Sequence, residues 1–245
     1  MGEACSTVDQ QLPGNPVTAT STEAPDPKHD LALGLCDVMA AIDRRGWCDG
    51  TGGNFSCVLR RQPLALLMAP SGVEKGGLKP SDLIVVNAKG EVIEGEGRAS
   101  AETLLHLAIV ADRQAGAVLH THSQAATLLS RLAEFRGEPM PAQGWQLQIK
   151  GLEMLKGLQG IRSHEQQIAI PVLPNDQDLQ RLSKLALSSL ADAPFGILIS
   201  GHGLYAWGDD LAMAKRHLEI LEFLLEQHWR ELQLRGIYNK GVTKI

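Results

Sequence analysis

Between His29 and Arg45 the apolar residues Leu31, Leu35, Val38, Met39 and Ile42 recur at helical spacing, and Gly46 stops the pattern. The pattern then changes. Ser56 to Arg61 and Leu64 to Met68 read as two strands joined across Gln62-Pro63, and Asp82 to Asn87 with Glu91 to Glu94 read as a hairpin. A helix follows, capped by Ser100 and running to about Arg113, with Glu102 in its first turn. Ala117 to Ser123 is a buried-looking strand, and Gln124 to Ala133 a short helix. Two prolines and two glycines make Glu134 to Gly144 an irregular loop. Ile168 to Leu173 reads as a strand, and a helix from Asn175-Asp176 to about Leu190 has Leu179, Leu182, Leu185, Ala186 and Leu190 on one side. Phe195 to Ser200 and Leu204 to Trp207 are strands. The last long helix, Asp210 to about Leu234, carries Leu211, Ala214, Leu218, Leu221, Leu225 and Trp229 on its apolar face. This order gives an α/β domain with a central, mainly antiparallel sheet and flanking helices. Residues 1–28, rich in Thr, Ser, Pro, Gly and Glu, read as a disordered tail, leaving 29–245 as the folded domain.

Composition narrows the function. With 245 residues, 44% hydrophobic, the chain can bury one sizeable core. A net charge of -5 and the lack of any basic run argue against nucleic acid as a partner. Charges or glycines interrupt each apolar stretch, so no membrane span is expected, and no secretory signal core opens the chain. Cys5, Cys36, Cys48 and Cys57 form no Cys-x-x-Cys pair and read as free thiols of a cytoplasmic protein.

The candidate chemistry centres on His120-Thr121-His122. Side chains alternate along a strand, so both imidazoles share one face and can grip one metal ion. His202, again a histidine just past a buried-looking strand, is the best candidate for a third ligand. Three imidazoles with an open position make a common catalytic zinc site. The bland reading of a paired histidine is an edge-strand cap. The glycine-rich Thr51-Gly52-Gly53-Asn54 can cradle a phosphate or be an ordinary turn, and Ala69-Pro70-Ser71-Gly72 is a second small-residue loop. Glu153 sits in locally apolar company, which can raise a carboxyl pKa and suit acid/base work; local sequence favours a plain exposed carboxylate. Glu102 at a helix start is dipole-favourable decoration unless that start faces the metal.

Taken together, Thr51 to Asn54, Ala69 to Gly72, Ser100-Ala101-Glu102, His120 to Ser123 and Gly201-His202-Gly203-Leu204-Tyr205-Ala206-Trp207-Gly208 resemble the class II aldolase family in kind and order. The likeness covers roughly residues 30 to 235. It implies a three-layer α/β domain acting on a sugar phosphate. It implies one zinc per subunit on His120, His122 and His202. Substrate phosphate would lie at Thr51, Gly52, Gly53, Asn54, Ser71, Gly72 and Ser100. Gly52 departs from the family, whose aldolases usually carry a hydroxyl residue there. The stretch Glu153-Met154-Leu155-Lys156-Gly157 resembles a dehydratase branch, where the acid/base falls on Glu153; in the aldolase branch it falls on Glu102. The family also implies a homotetramer with sites near subunit interfaces, which a residue such as Tyr238 from a neighbour could complete. Adducin-like relatives offer the contrasting reading of a non-catalytic interaction domain.

Overall fold

A computed structural model describes Met1 and residues 26–239. Most of the expected tail, and Cys5 with it, lies outside the described residues. The first helix α1 (Pro27–Asp43) starts slightly before the expected boundary, because Asp26 accepts from the Lys28 amide and Pro27 occupies the first turn.

Among the described residues, nine strands form one sheet. They are β1 (Asn54–Arg61), β2 (Leu64–Met68), β3 (Ile84–Asn87), β4 (Val92–Glu94), β5 (Ala117–Thr121), β6 (Trp145–Lys150), β7 (Gln167–Leu173), β8 (Gly196–Ile199) and β9 (Gly203–Gly208). Their order across the sheet is β4-β3-β2-β1-β5-β9-β8-β7-β6. Every pairing is antiparallel except β7 with β8, so the sheet is mixed through a single parallel pair. That pair is bridged by α5 (Leu179–Leu190), the crossover that parallel strands require.

Helices cover both faces. On one face α1, α3 (Gln124–Leu129) and α6 (Leu211–Asn239) bury Leu35, Met39, Ile42, Leu218, Leu221 and Leu225 against Phe55, Leu119 and Leu204. On the other, α2 (Thr103–Arg113) and α5 bury Leu105, Ile109, Leu182 and Leu190 against Leu66, Val118 and Ile197. The two clusters follow from the period-2 alternation of the central strands, which sends Val118 one way and Leu119 the other.

Three expectations are corrected. The helix after the histidine strand ends at Leu129, and a separate turn of helix, α4 (Leu132–Phe135), follows it. Ser100 does not cap α2: the N-cap is Glu102, which makes no capping bond, while Ser100 Oγ accepts from the Glu102 amide at 3.3 Å. The helix before β8 is capped by Asp178, whose carboxylate accepts from the Gln180 and Arg181 amides. Among the described residues, no helix is long and apolar enough to cross a membrane.

Candidate metal centre and active site

The histidines meet where β5 leaves the middle of the sheet. His120 is the fourth residue of β5 and His122 lies just past its end, while His202 occupies the turn between β8 and β9. Because β5 pairs with β9, that turn is brought over the end of β5. His120 Nε2 lies 2.8 Å from His122 Nε2 and 3.3 Å from His202 Nε2. Glu102 Oε1 completes the group, 2.9 Å from His202 Nε2 and 3.9 Å from His120 Nε2. The ligand atoms of Glu102, His120, His122 and His202 all lie within 4.8 Å of one another.

The donor set fits a metal ion. His120 Nδ1 donates to the Leu204 carbonyl at 2.9 Å, which fixes its proton there and leaves Nε2 as a bare lone pair aimed inward. The His120 ring is fully buried and stacked on Tyr205, with centroids 3.8 Å apart. Burial, together with the facing imidazoles, holds His120 well below the usual histidine range, and burial lowers His122 as well. Neutral imidazole is the form that binds metal. Nitrogens placed tetrahedrally at zinc-like bond lengths are roughly 3.3 Å apart. The His120–His202 separation is already there, and His122 needs only a small outward movement. Glu102 feels burial pushing it up, but its bond from His202 and the nearby imidazoles outweigh this and bring it down to about 2.

Glu102 was the less conspicuous of the two candidate acids, and it is the one that joins the cluster. The start of α2 does face the histidines. The pairing of Asn54 with His120 across β1 and β5 puts the Asn54 amide beside Glu102, where it donates to Oε2. Asn54 therefore holds the carboxylate. Glu153 lies elsewhere, in a 3-10 turn (Glu153–Gly157), exposed and paired with Lys156 and, at 3.8 Å, His164. The Lys156 ammonium brings its carboxyl below the ordinary range, the reverse of the shift that apolar company would cause.

The small-residue loops divide between two places. Gly52 and Gly53 lie against the histidines: a Cβ on Gly52 would come 2.9 Å from His122 Nδ1, and one on Gly53 2.7 Å from the His120 carbonyl. Thr51 has φ of 69°, a left-handed conformation, and its carbonyl accepts from the buried Lys75 ammonium at 2.9 Å. Lys75 Nζ also donates to the Val73 carbonyl at 2.7 Å, tying the first loop to the segment just after Ser71-Gly72. Ser71 and Ser100 line one open cavity of about 600 Å³ together with Lys89 and Arg98. A larger groove, about 820 Å³, runs along β6 and α6 and contains none of the metal cluster. Lys75 and Arg98 join the candidate residues only through the structure. A lysine inside a small-residue loop was the available signal for the first.

A mixed sheet between helical layers, with three imidazoles and a carboxylate at the end of its central strand, defines a class. Residues 34–229 match the model of the class II aldolase and adducin N-terminal domain, and the chain belongs to that family. Its similarity to individual proteins is more specific. It is 40% identical over 221 residues to the methylthioribulose-1-phosphate dehydratase of Granulibacter bethesdensis, covering 89% of this chain and all of that relative. It is 42% identical over 196 residues to the enzyme of that name from Gluconobacter oxydans, covering 80% and 89% of the two chains. Among solved structures, an L-fuculose-1-phosphate aldolase from Thermus thermophilus superposes with a TM-score of 0.63 at 24% identity, over 87% of this chain and 99% of that one. That likeness bears on fold alone.

Proposed function

We propose that this protein is a zinc-dependent methylthioribulose-1-phosphate dehydratase of methionine salvage. The reaction removes water from 5-methylthioribulose 1-phosphate and gives 2,3-diketo-5-methylthiopentyl 1-phosphate. The observation that carries the reading is the convergence of His120, His122 and His202 with Glu102, in a chain about 40% identical to dehydratases over most of its length.

When bound, the metal supplies Lewis acidity toward the C2 carbonyl of the substrate. His120, His122 and His202 hold it. The chain's own part is to place the sugar and to move two protons. For the phosphate the resemblance gives the Thr51 to Asn54 loop, Ser71-Gly72 and Ser100; of these, Ser71 and Ser100 offer hydroxyls to one shared cavity, where Arg98 and Lys89 add charge. Anchoring the phosphate fixes C3 and C4, so remote binding energy orients the reacting bond. A carboxylate takes the C3 proton, and a carboxylic acid gives a proton to the C4 hydroxyl, which leaves as water; the resulting 3-enol tautomerises to the diketone by gaining a proton at C4 and losing its hydroxyl proton. We assign this acid/base work to Glu153, whose Glu-Met-Leu-Lys-Gly setting resembles the dehydratase branch. Its exposure in the single protomer is consistent with a site completed on assembly. We also propose a cytoplasmic homotetramer; the exposed Leu234, Ile237 and Tyr238 at the end of α6 are surface that assembly would cover.

The position of Glu102 beside His202 favours a second reading, a class II sugar-phosphate aldolase whose acid/base is Glu102. One experiment separates the two. Zinc-loaded protein is given methylthioribulose 1-phosphate and, in parallel, fuculose 1-phosphate. Diketo product from the first and no aldehyde from the second is expected. Aldehyde with dihydroxyacetone phosphate from the second would overturn the dehydratase reading. Glu153→Ala should keep zinc and lose turnover; full activity in that variant removes Glu153 from the mechanism.

A further inference from the structure

One buried carboxylate is used by none of this chemistry. Glu222 lies in the middle of α6, 2% exposed, one turn after Leu218 and next to Leu221. Its helix neighbours Leu218, Leu221 and Leu225 are buried leucines, and Glu222 is buried among them. Burying a carboxylate is expensive unless its oxygens are satisfied, and here they are. The Thr121 hydroxyl donates to Oε1 and the Ser123 hydroxyl donates to Oε2. These two residues are the immediate chain neighbours of His122.

The Ser123 hydroxyl also accepts from the Ala126 amide at 3.1 Å, capping α3. The His122 amide donates to the Trp47 carbonyl at 2.8 Å. The His122 peptide is thus held from three directions: by α6, by the start of α3 and by the segment after α1. Of these holds, only the Glu222 carboxylate touches the residues on both sides of His122. Thr121 also follows His120 directly, so the same contact bears on both histidines of the pair.

We propose that Glu222 is a positioning residue of the metal centre: by gripping Thr121 and Ser123 from the far side of the strand, it sets the spacing of His120 and His122. It touches neither histidine and acts through the backbone between them. This rests on the metal reading above, deepening it by one residue that the histidine motif does not contain. Outer partners that orient ligands govern metal affinity by about 10- to 100-fold, and Glu222 should act on that scale.

The test is zinc affinity by competition with a chromophoric chelator, and the visible spectrum of the cobalt-loaded protein, for wild type, Glu222→Leu, Glu222→Gln and Thr121→Val. In Glu222→Leu, zinc affinity should fall about 10- to 100-fold with an altered cobalt spectrum. Glu222→Gln, which keeps the length and one acceptor oxygen, should recover most of the loss. A folded Glu222→Leu protein with wild-type affinity and spectrum overturns the proposal. If that variant does not fold, Thr121→Val decides: weaker zinc binding supports the grip and unchanged binding overturns it. A wild type that takes up neither metal overturns the metal reading itself, and the proposal with it.

Discussion

Gly52→Ala is a sharp test of how tightly the chain around the histidines is built. The added Cβ would lie 2.9 Å from His122 Nδ1 and 3.0 Å from the Asp49 carbonyl, where ordinary contact begins at 3.4 Å. The Asp49 carbonyl is part of a turn closed by the Gly52 amide at 3.1 Å, so the imidazole is the easier group to displace. It must yield by 3.4 − 2.9 = 0.5 Å. His122 must already move outward, from 2.8 Å to roughly 3.3 Å from His120 Nε2, to take its place around zinc; a Cβ pressing on Nδ1 sets a second demand on the same ring, against a metal–ligand tolerance of about 0.2 Å. Overpacking of this kind costs about 1–3 kcal/mol. Charged wholly to metal binding, that is roughly a 5- to 150-fold loss of zinc affinity. A chelator competition titration measures it, and turnover at saturating zinc shows whether the displaced His122 also harms the chemistry. A Gly52→Ala protein with unchanged zinc affinity and unchanged melting temperature would refute the reasoning.

Zinc should stabilise the fold. At a free concentration 100 times its dissociation constant the gain is about 2.7 kcal/mol, or roughly 5–11 °C in melting temperature for a chain of this size; no difference between zinc and chelator in a thermal melt would count against a bound metal. Burial pushes the Glu222 carboxyl up to about 7, against the pull of the Ser123 and Thr121 hydroxyls. The folded state therefore holds this proton more tightly than the unfolded chain does. The stability so gained is fully present below about pH 4.5 and lost as pH rises through about 7, on the order of 3 kcal/mol. Urea unfolding at pH 5 and pH 8 should show Glu222→Gln gaining on wild type at the higher pH; an equal difference at both would contradict this. Burial, joined at Cys48 by the Asp43 carboxylate, pushes the thiols of Cys48 and Cys57 up to about 12. A disulfide reagent at pH 8 should leave both unmodified until denaturant is added, and prompt labelling in the native protein would show that the core is open.

What was legible in the sequence follows from which interactions are local. The His-x-His pair was readable because strand alternation fixes its geometry without outside help, and His202 because it repeats the context of a histidine just past a buried strand. Glu102 was ambiguous for a physical reason: its role depends on β1 lying beside β5, which puts Asn54 opposite His120. No local pattern reports that register. The strand β6 is a different case. Trp145-Gln146-Leu147-Gln148-Ile149-Lys150 alternates strictly, with Leu147 and Ile149 buried and the glutamines exposed, so the signal was present in a segment shadowed by the adjacent prolines and glycines. Glu222 carries no such mark: it lies next to Leu221 and one turn from Leu218, and only the structure shows that it is buried with them. Hydrophobic pattern alone makes such a residue look like an interruption of the stripe. Only the contact with Thr121 and Ser123 turns it into a reason for the helix to lie where it does, behind the strand that carries the metal ligands. The fold and the site are thus joined at α6: the helix that closes the core also braces the histidines, and a sequence read one element at a time separates those two tasks.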